Sequence, residues 1–447
     1  MKRINLIFIS ALLLLGAISA QAQFNDRYLV MLKNKNALNS FDKQVQALGG
    51  EITYSHKIGI AIVSGLTVDT AAELGSSKNV KEMVLDASVN LEPAMTEAVS
   101  AGLDGSEVES AGDPTAAYFY PRQWNMRAID ADIAWAGGRL GSSDVTVAIL
   151  DTGIDYTYPD LDGRVDLDRS ISFLPDDDLL VDLIFPGRDY ITDLHYHGTH
   201  VASTVVSNSD VIAGVTTETT LIGVKVCSVY GGCPFGAIIA GVLHAADNGA
   251  DVANMSLGGA FPKDHNGRYV GFINKVFNYA NSLGMTVVVS AGNDGANLDH
   301  IGNYYKSYCS TPNTICVSAT GPSSADDIRL GPWYDIDALA YYSNYGRSAI
   351  NVAAPGGNSG GYVYAACSQT SLVIPVCGTG TYIVGLGGTS MAAPHVSGLA
   401  SLLVEDYGKN PGAIREALQD SADDLGQSGT DPAYGKGRIN VANAVLQ

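Results

Sequence analysis

The hydrophobic and polar positions follow two different patterns along the chain. Before residue 95, short apolar stretches end at glycines or polar turns. They predict strands at residues 27–33, 52–54, 59–63, 80–85 and 88–92, and helices at residues 38–48 and 68–74. We therefore expect a small α+β unit here. Residues 95–118 are polar and rich in small side chains, which is typical of a linker.

From Trp124 onward, apolar strands alternate with helices. The pattern predicts strands at residues 145–150, 221–226, 252–255, 285–290 and 315–318, and helices at residues 201–206, 235–248, 270–283, 390–404 and 413–418. Continuous apolar strands that alternate with helices are typical of a parallel sheet buried on both faces. We predict the α/β class, with a mainly parallel central sheet, helices on both faces and the small α+β domain in front.

The N-terminus has the pattern of a secretion signal. Basic residues at positions 2 and 3 precede an apolar run at residues 7–18, and Ala20 and Ala22 suit a signal peptidase. A membrane anchor is the alternative, but the run is short for a bilayer span and no other stretch reaches that length. We predict a signal peptide at residues 1–22, secretion, and no membrane contact in the mature form.

Charge and cysteine content narrow the class of protein. The formal net charge is −20, and an acidic surface repels phosphate backbones, so we expect no nucleic-acid partner. Six cysteines in an exported chain favour disulfides over a metal site, because no histidine lies close to them in sequence. Local pairing is the simplest arrangement, and it joins Cys227 with Cys233, Cys309 with Cys316, and Cys367 with Cys377.

Two segments place a carboxylate and an imidazole next to glycine. Asp151, in VAILDTGID, follows an apolar strand, where a carboxylate can orient an imidazole; a cap or turn aspartate is the alternative. His197, in HGTHVA, enters a helix, and Gly198 leaves its ring room. His195, His197 and His200 together also suggest a metal site, but that hypothesis leaves the other segments unexplained, and His200 is expected to pack inside the protein.

Two further segments carry groups suited to acyl transfer. Ser390, in GGTSMAAPHVSG, begins a helix, whose free N–H groups and partial positive charge suit a nucleophile that generates an oxyanion. Asn293, in VVVSAGNDG, follows an apolar strand, and its amide can donate to the same oxyanion. An ordinary N-cap serine and a turn asparagine are the alternatives. His395 on the serine's helix is expected to be structural.

These four segments, in this order, resemble the subtilisin family from near Trp124 to the C-terminus, and residues 214–226 look closer to proteinase K. The resemblance implies a monomeric serine endopeptidase of broad specificity for proteins and peptides. In it Asp151 orients His197, which is the general base and acid. Ser390 is the nucleophile that forms an acyl-enzyme, and Asn293 donates to the oxyanion.

The resemblance also places the substrate and a regulatory unit. Ser256, Leu257 and Gly258 match the strand that pairs with the substrate backbone beside the S1 pocket, and such pairing fits extended peptides of almost any sequence. Residues 23–110 resemble a propeptide, which acts as a folding aid and inhibitor and is a partner of its own enzyme. Residues 111–447 then form the catalytic domain.

No cofactor is implied for the chemistry, and the sequence leaves structural calcium open, with no sites assigned. Asp160 keeps a carboxylate that binds calcium in some family members. The loop after His197 is too short for the subtilisin-type calcium loop, so we do not expect calcium there. Residues 176–178, three aspartates, are a further ligand candidate but are expected to form a solvated loop.

Two alternatives to a broad endopeptidase remain. A non-catalytic protein of the same fold would lack at least one of the four site residues, and all four are present. A processing protease of narrow specificity usually lines its cleft with acidic groups. The acidic residues of this chain are spread along the sequence, which leaves that alternative open.

Overall fold

The computed structural model describes residues 26–91, 95–97, 112–302, 304–306 and 308–446. The predicted signal peptide and most of the predicted linker therefore lie outside the described residues. Among the residues described, no helix is both long and apolar enough to cross a membrane.

An antiparallel sheet and two helices form the N-terminal unit. In chain order the elements are β1 (Tyr28–Leu32), α1 (Leu38–Ala47), β2 (Glu51–His56), β3 (Ile60–Ser64), α2 (Val68–Gly75) and β4 (Val80–Leu85), with sheet order β2-β3-β1-β4. Because side chains alternate along a strand, Val30 and Leu32 pack in the unit's own core, whereas Leu29 and Met31 join a core of the larger domain. The predicted α+β unit is confirmed.

The larger domain contains the remaining elements. Its strands, with two short ones that precede it, are β5 (Ser88–Asn90), β6 (Met95–Glu97), β7 (Thr146–Asp151), β8 (Ile171–Ser172), β9 (Thr220–Lys225), β10 (Gly232–Pro234), β11 (Val252–Met255), β12 (Ala260–Pro262), β13 (Thr286–Ser290), β14 (Tyr304–Lys306), β15 (Thr314–Thr320), β16 (Ser324–Ala325), β17 (Trp333–Tyr334), β18 (Val352–Pro355), β19 (Val363–Ala366) and β20 (Ile383–Gly387). Its helices are α3 (Trp124–Ala128), α4 (Ala131–Ala136), α5 (Pro175–Ile184), α6 (His197–Val205), α7 (Phe235–Asp247), α8 (Lys263–Ser282), α9 (Thr389–Tyr407), α10 (Pro411–Asp420) and α11 (Val441–Val445).

Seven parallel strands form the central sheet, in the order β18-β15-β13-β11-β7-β9-β8. Strand β7 shows why both faces are covered. Val147 and Ile149 enter the core that contains α6 and α9, whereas Ala148 and Leu150 enter the core that contains α7 and α8. The predicted α/β fold is confirmed, and the strand order reverses between β7 and β11, where open sheets bind their ligands.

The N-terminal unit docks on α7 and α8 through polar contacts as well as through its apolar face. The carboxylate of Asp86 accepts the N–H of Gly236, at the start of α7, at 2.7 Å. Tyr269 of α8 donates its hydroxyl to the carbonyl of Leu85 at 2.6 Å. At the other end of α7, Asp247 contacts His56 at 2.9 Å and Lys57 at 3.0 Å.

Two sequence-based expectations about irregular segments are wrong. Residues 176–178 do not form a solvated loop but the first turn of α5, where acidic side chains suit the positive end of a helix, and Asp177 is buried against Lys225 at 3.1 Å. The expected linker begins with strand β6, which pairs with β20. The three expected local disulfides are confirmed, with no free cysteine among the described residues.

Candidate active site

Asp151 is the last residue of β7 and lies at the carboxyl edge of the central sheet. Its side chain is fully buried, and Oδ1 accepts hydrogen bonds from the N–H of Thr152 at 2.8 Å and from Nδ1 of His197 at 2.7 Å. Gly153 turns the chain away with a φ of +111°, and a Cβ there would lie 2.3 Å from the carbonyl oxygen of Ile191. The glycine after the aspartate is therefore a steric requirement.

His197 is the first residue of α6, and the helix start is pressed against the turn after β7. A Cβ on Gly198 would lie 2.1 Å from the carbonyl oxygen of Gly153, so only glycine permits this approach. The approach brings the imidazole to Asp151. Within the described part of the chain, Nε2 of His197 is buried without a hydrogen-bond partner, and this nitrogen is the one left to take a proton.

The protonation equilibrium of His197 is set by opposing effects. Burial lowers the pKa of the imidazole, but the adjacent Asp151 carboxylate and, more weakly, Asp193 favour the charged ring and leave the pKa above its ordinary value of 6.5. The carboxylate therefore stabilises the imidazolium that a general base becomes after it accepts a proton.

Ser390 is the second residue of α9, and it is 6% exposed. Its hydroxyl donates to the carbonyl oxygen of Ser256 at 3.1 Å, and the hydroxyl of Ser256 donates back to the carbonyl oxygen of Ser390 at 2.7 Å. In this structure the serine hydroxyl is thus bonded to the neighbouring strand end and not to His197. The two bonds fix the start of α9 against the end of β11.

Asn293 lies three residues beyond β13, and a residue that the sequence analysis passed over orients it. Its side-chain oxygen accepts both the N–H and the hydroxyl of Thr389, each at 2.9 Å, and that hydroxyl in turn accepts the N–H of Gly292 at 3.0 Å. The amide oxygen is therefore held at the start of α9, next to Ser390. The signal for Thr389 was its position directly before the predicted nucleophile.

Ser256, Leu257 and Gly258 follow β11 directly, at the point where the strand order reverses, and all three are buried. On the opposite side, the hairpin between Cys227 and Cys233 is closed by their disulfide. Its edge strand β10 pairs with β5, and the N–H of Leu91 donates to the carbonyl oxygen of Gly231 at 2.8 Å. The extended segment from β5 to Leu91 is thus paired with the hairpin beside the candidate site.

The other histidines near the site are held neutral by burial. Burial lowers the pKa of His195 and of His200 to about 3, and that of His395 to about 4. His200 contacts the carbonyl oxygen of Val363 at 3.1 Å, and His395 donates to that of Met391 at 2.8 Å. The expected structural roles of His200 and His395 agree with these contacts.

Asp160, which keeps a carboxylate that binds calcium in some family members, bonds to backbone N–H groups here. Asp160 is fully buried, and its two oxygens accept the N–H groups of Asp210, Val211 and Ile212 at 2.9, 2.9 and 3.1 Å. Burial raises the pKa of this carboxyl to about 7. It anchors the loop after α6. The described residues contain no group of three or more His, Cys, Asp or Glu side chains arranged to hold a metal ion.

The fold and this edge of the sheet define a class of protein. A family model described as the Subtilase family matches residues 142–437, and the chain belongs to that family. A thermophilic serine proteinase of Bacillus sp. (strain AK1) is 33% identical over 340 residues, which are 75% of this chain and 70% of the relative. Thermitase of Thermoactinomyces vulgaris is 32% identical over 341 residues, 74% of this chain and 99% of the relative. The protein is a subtilisin-like serine endopeptidase.

Solved structures agree with the fold. Fervidolysin from Fervidobacterium pennivorans, a keratinolytic enzyme related to subtilisin, has a TM-score of 0.70 at 22% identity, over 94% of this chain and 61% of its own. The epidermin leader peptide processing serine protease from Staphylococcus aureus has a TM-score of 0.68 at 21% identity, over 94% and 97%. Each alignment leaves out 6% of this chain, which is fewer residues than the N-terminal unit contains, so both alignments include part of that unit.

Proposed function

We propose that Asp151, His197 and Ser390 hydrolyse peptide bonds of proteins as a catalytic triad, through an acyl-enzyme. The 2.7 Å contact between Asp151 and Nδ1 of His197 is the observation that carries this proposal. A carboxylate that accepts the Nδ1 proton leaves the lone pair of the neutral ring on Nε2, where a base is needed.

The chemical steps follow from these positions. Rotation of the Ser390 side chain exchanges the carbonyl of Ser256 for Nε2 of His197 as the acceptor of its hydroxyl. The hydroxyl oxygen attacks the substrate carbonyl while Nε2 takes the proton, and the same nitrogen returns the proton to the leaving amine. A water molecule then repeats the sequence on the acyl-enzyme. Every step uses side chains of this chain, and we propose no cofactor for the chemistry.

The oxyanion of the tetrahedral intermediate accepts hydrogen bonds from two donors. One is the N–H of Ser390, which lies in the first turn of α9 and so has no partner within the helix. The other is the amide nitrogen of Asn293, whose oxygen Thr389 holds on the opposite side of the amide. Fixed donors of this kind stabilise the transition state more than the substrate.

We expect the enzyme to have broad specificity, because its cleft binds the main chain of the substrate. Ser256, Leu257 and Gly258 form one wall and the hairpin at Gly231 forms the other, and both offer main-chain groups to an extended peptide. Cleavage of a random peptide library by the purified enzyme tests this. A single recognised sequence in the library would instead favour the narrow processing protease.

We further propose that the N-terminal unit is a propeptide cleaved by Ser390 itself. Leu91 pairs with Gly231 on one side of the site, and Met95 pairs with Gly387, three residues before Ser390, on the other. The bond cut first is therefore expected between Leu91 and Met95, and later trimming of the linker removes the rest. Secretion through residues 1–22 and a monomeric mature enzyme complete the proposal.

Labelling with a fluorophosphonate tests the nucleophile. The mature enzyme should carry the adduct on Ser390, mapped by mass spectrometry, and Ser390→Ala should be unlabelled, inactive and secreted as an uncut precursor. Ser401→Ala is the matched control, because Ser401 lies on the same helix and its hydroxyl contacts the carbonyl of Gly398 at 2.7 Å and the hydroxyl of Thr219 at 3.3 Å, away from the triad. An adduct on another residue, or normal self-processing of Ser390→Ala without any other protease, would overturn the proposal.

A further inference from the structure

A second buried carboxylate, which the triad does not use, lies four residues before the catalytic histidine. Asp193 is fully buried, and each of its oxygens accepts two hydrogen bonds. Oδ1 accepts the hydroxyl of Thr152 and the N–H of His195, both at 2.9 Å. Oδ2 accepts the N–H and the hydroxyl of Thr199, at 3.0 and 2.6 Å.

Both threonine hydroxyls that donate to Asp193 also accept a backbone N–H. Thr152 Oγ1 also accepts the N–H of Gly198 at 2.9 Å, and Thr199 Oγ1 also accepts the N–H of Asp155 at 3.0 Å. Each hydroxyl thus accepts one backbone proton and donates its own proton to Asp193. Four donors fill the roughly four lone-pair sites of a carboxylate, which leaves no place for a carboxyl proton. The four hydrogen bonds therefore favour ionised Asp193, against the burial that raises its pKa.

The same bonds join the two elements that meet in the triad. Thr152 directly follows Asp151 at the end of β7, and Gly198 and Thr199 directly follow His197 at the start of α6. Asp193 thus bridges the residues that flank the pair of catalytic groups. Its own carbonyl oxygen accepts the hydroxyls of Ser368 and Thr370, at 2.6 and 2.9 Å, in the loop closed by the disulfide of Cys367.

We propose that Asp193 is a positioning residue for catalysis, which acts through Thr152 and Thr199 to hold His197 against Asp151 and whose charge favours the imidazolium formed during the reaction. The inference rests on the triad proposed above. It assigns the site two carboxylates with separate tasks. Asp151 contacts the imidazole, whereas Asp193 fixes the backbone on both sides of the contact and adds a second negative charge.

The charged and titratable groups around the pair leave Asp193 as the second contributor. Burial raises the pKa of Asp193 itself, against the hydrogen bonds from Thr199 and Thr152. After Asp151, Asp193 is the other group that raises the pKa of His197. Other titratable groups of the neighbouring elements include His195 and His200, both with a pKa near 3, and His395 on α9. The charged groups there are paired: Asp155 pairs with Arg188, and Lys225 pairs with Asp177 at 3.1 Å and donates to the carbonyl of Thr192 at 2.9 Å.

The test is the pH profile of kcat/KM for Asp193→Asn. Loss of the negative charge should move the acid limb to lower pH by roughly 0.5–1 unit, less than the 1–3 units typical of a carboxylate in direct contact. Asp155→Asn is the matched control. Asp155 is also fully buried, with Gln369 and Arg188 as partners, so its loss disturbs the same loop without removing charge beside His197. Its acid limb should stay at the wild-type position. An unshifted limb in Asp193→Asn, or an equal shift in both variants, would overturn the inference.

A second pair of variants keeps the inference testable if Asp193→Asn does not fold. Thr152→Val removes the hydroxyl that links Asp193 to Gly198 and should lower kcat several-fold with little change in KM, whereas Thr152→Ser keeps the hydroxyl and should restore kcat. Equal kcat in both variants would refute the role. Fluorophosphonate labelling of wild-type Ser390 separates the two proposals, because its absence refutes the triad, whereas normal labelling with unchanged variants refutes only the role of Asp193.

Discussion

If the N-terminal unit is the proposed propeptide, the contact between Asp86 and helix α7 predicts how tightly it should inhibit the mature enzyme. Asp86 is 1% exposed, and its carboxylate accepts the N–H of Gly236 at 2.7 Å in the first turn of α7. The N-cap residue of α7 is Pro234, which provides no side-chain hydrogen bond to the helix start. Asp86 therefore supplies from the N-terminal unit the acceptor and the negative charge that the helix lacks.

The expected rise in the inhibition constant follows from two effects that Asp86→Ala would remove. A hydrogen bond to a charged group contributes about 1.5–3 kcal/mol. A negative charge at a helix start adds about 0.3–1 kcal/mol. Their sum, about 2–4 kcal/mol, corresponds to a rise of about 30- to 700-fold in the inhibition constant, at 1.4 kcal/mol for each factor of ten. The ion pair with Arg27, at 2.8 Å, lies within the N-terminal unit and does not count as a contact across the interface.

The assay adds the N-terminal fragment, residues 26–91, to the mature enzyme and measures the inhibition constant with a peptide substrate. The fragment has its own core around Phe41 and Val63, which supports its use in isolation. Lys57→Ala is the control, because Lys57 contacts Asp247 across the same interface but is 66% exposed, so a few-fold change at most is expected. Gly236→Ala in the enzyme should reproduce the loss, since its Cβ would lie 2.7 Å from the Asp86 carboxylate. Equal inhibition by wild-type and Asp86→Ala fragments would refute the reasoning.

Three further predictions concern the mature enzyme. In the proposed triad neutral His197 is the base, and Asp151 outweighs burial to hold its pKa above 6.5, so kcat/KM should rise with pH with a midpoint above 6.5; a rate that falls from pH 5 to 8 would contradict this role. Asn293→Ala should lower kcat about 10²–10³-fold, the effect of the corresponding amide in subtilisin, with KM nearly unchanged, and a selective rise in KM would refute it. Replacing Cys227 and Cys233 by alanine removes a link across 6 residues, which should lower the free energy of unfolding by about 2 kcal/mol, measured by denaturant titration, and raise KM; unchanged KM would separate the hairpin from substrate binding.

Elements with a strong local pattern were predicted within a few residues, and weak ones were missed. Strands β4 and β11 have the predicted bounds, because most of the residues in each, VKEMVL and VANM, are apolar. Strand β8 has only two residues, both half-buried, which is too short for a recognisable pattern. Helix α5 has three aspartates in its first turn, a composition that is typical of a loop. Those aspartates are helical because Asp177 pairs with buried Lys225, a partner 48 positions away that no local window contains.

The candidate reactive groups and their order could be predicted from the amino-acid sequence, because each lies in a glycine-rich segment at the end of an apolar strand or the start of a helix. The class of fold could be predicted as well, whereas local pairing of the cysteines was only the simplest arrangement until the structure showed it. The resemblance had already separated His197 from His200, but only the tertiary structure shows the contacts that make them differ. The two histidines stand in one helix, and His197 contacts Asp151 whereas His200 contacts the carbonyl oxygen of Val363. Only the tertiary structure revealed three supporting contacts. Asp193 bonds the residues that flank the pair of Asp151 and His197, Thr389 bonds the side chain of Asn293, and Asp86 bonds the start of α7. These roles depend on contacts between residues as much as 150 positions apart, or on which side of a turn a side chain points, and hydrophobic periodicity carries no information about either.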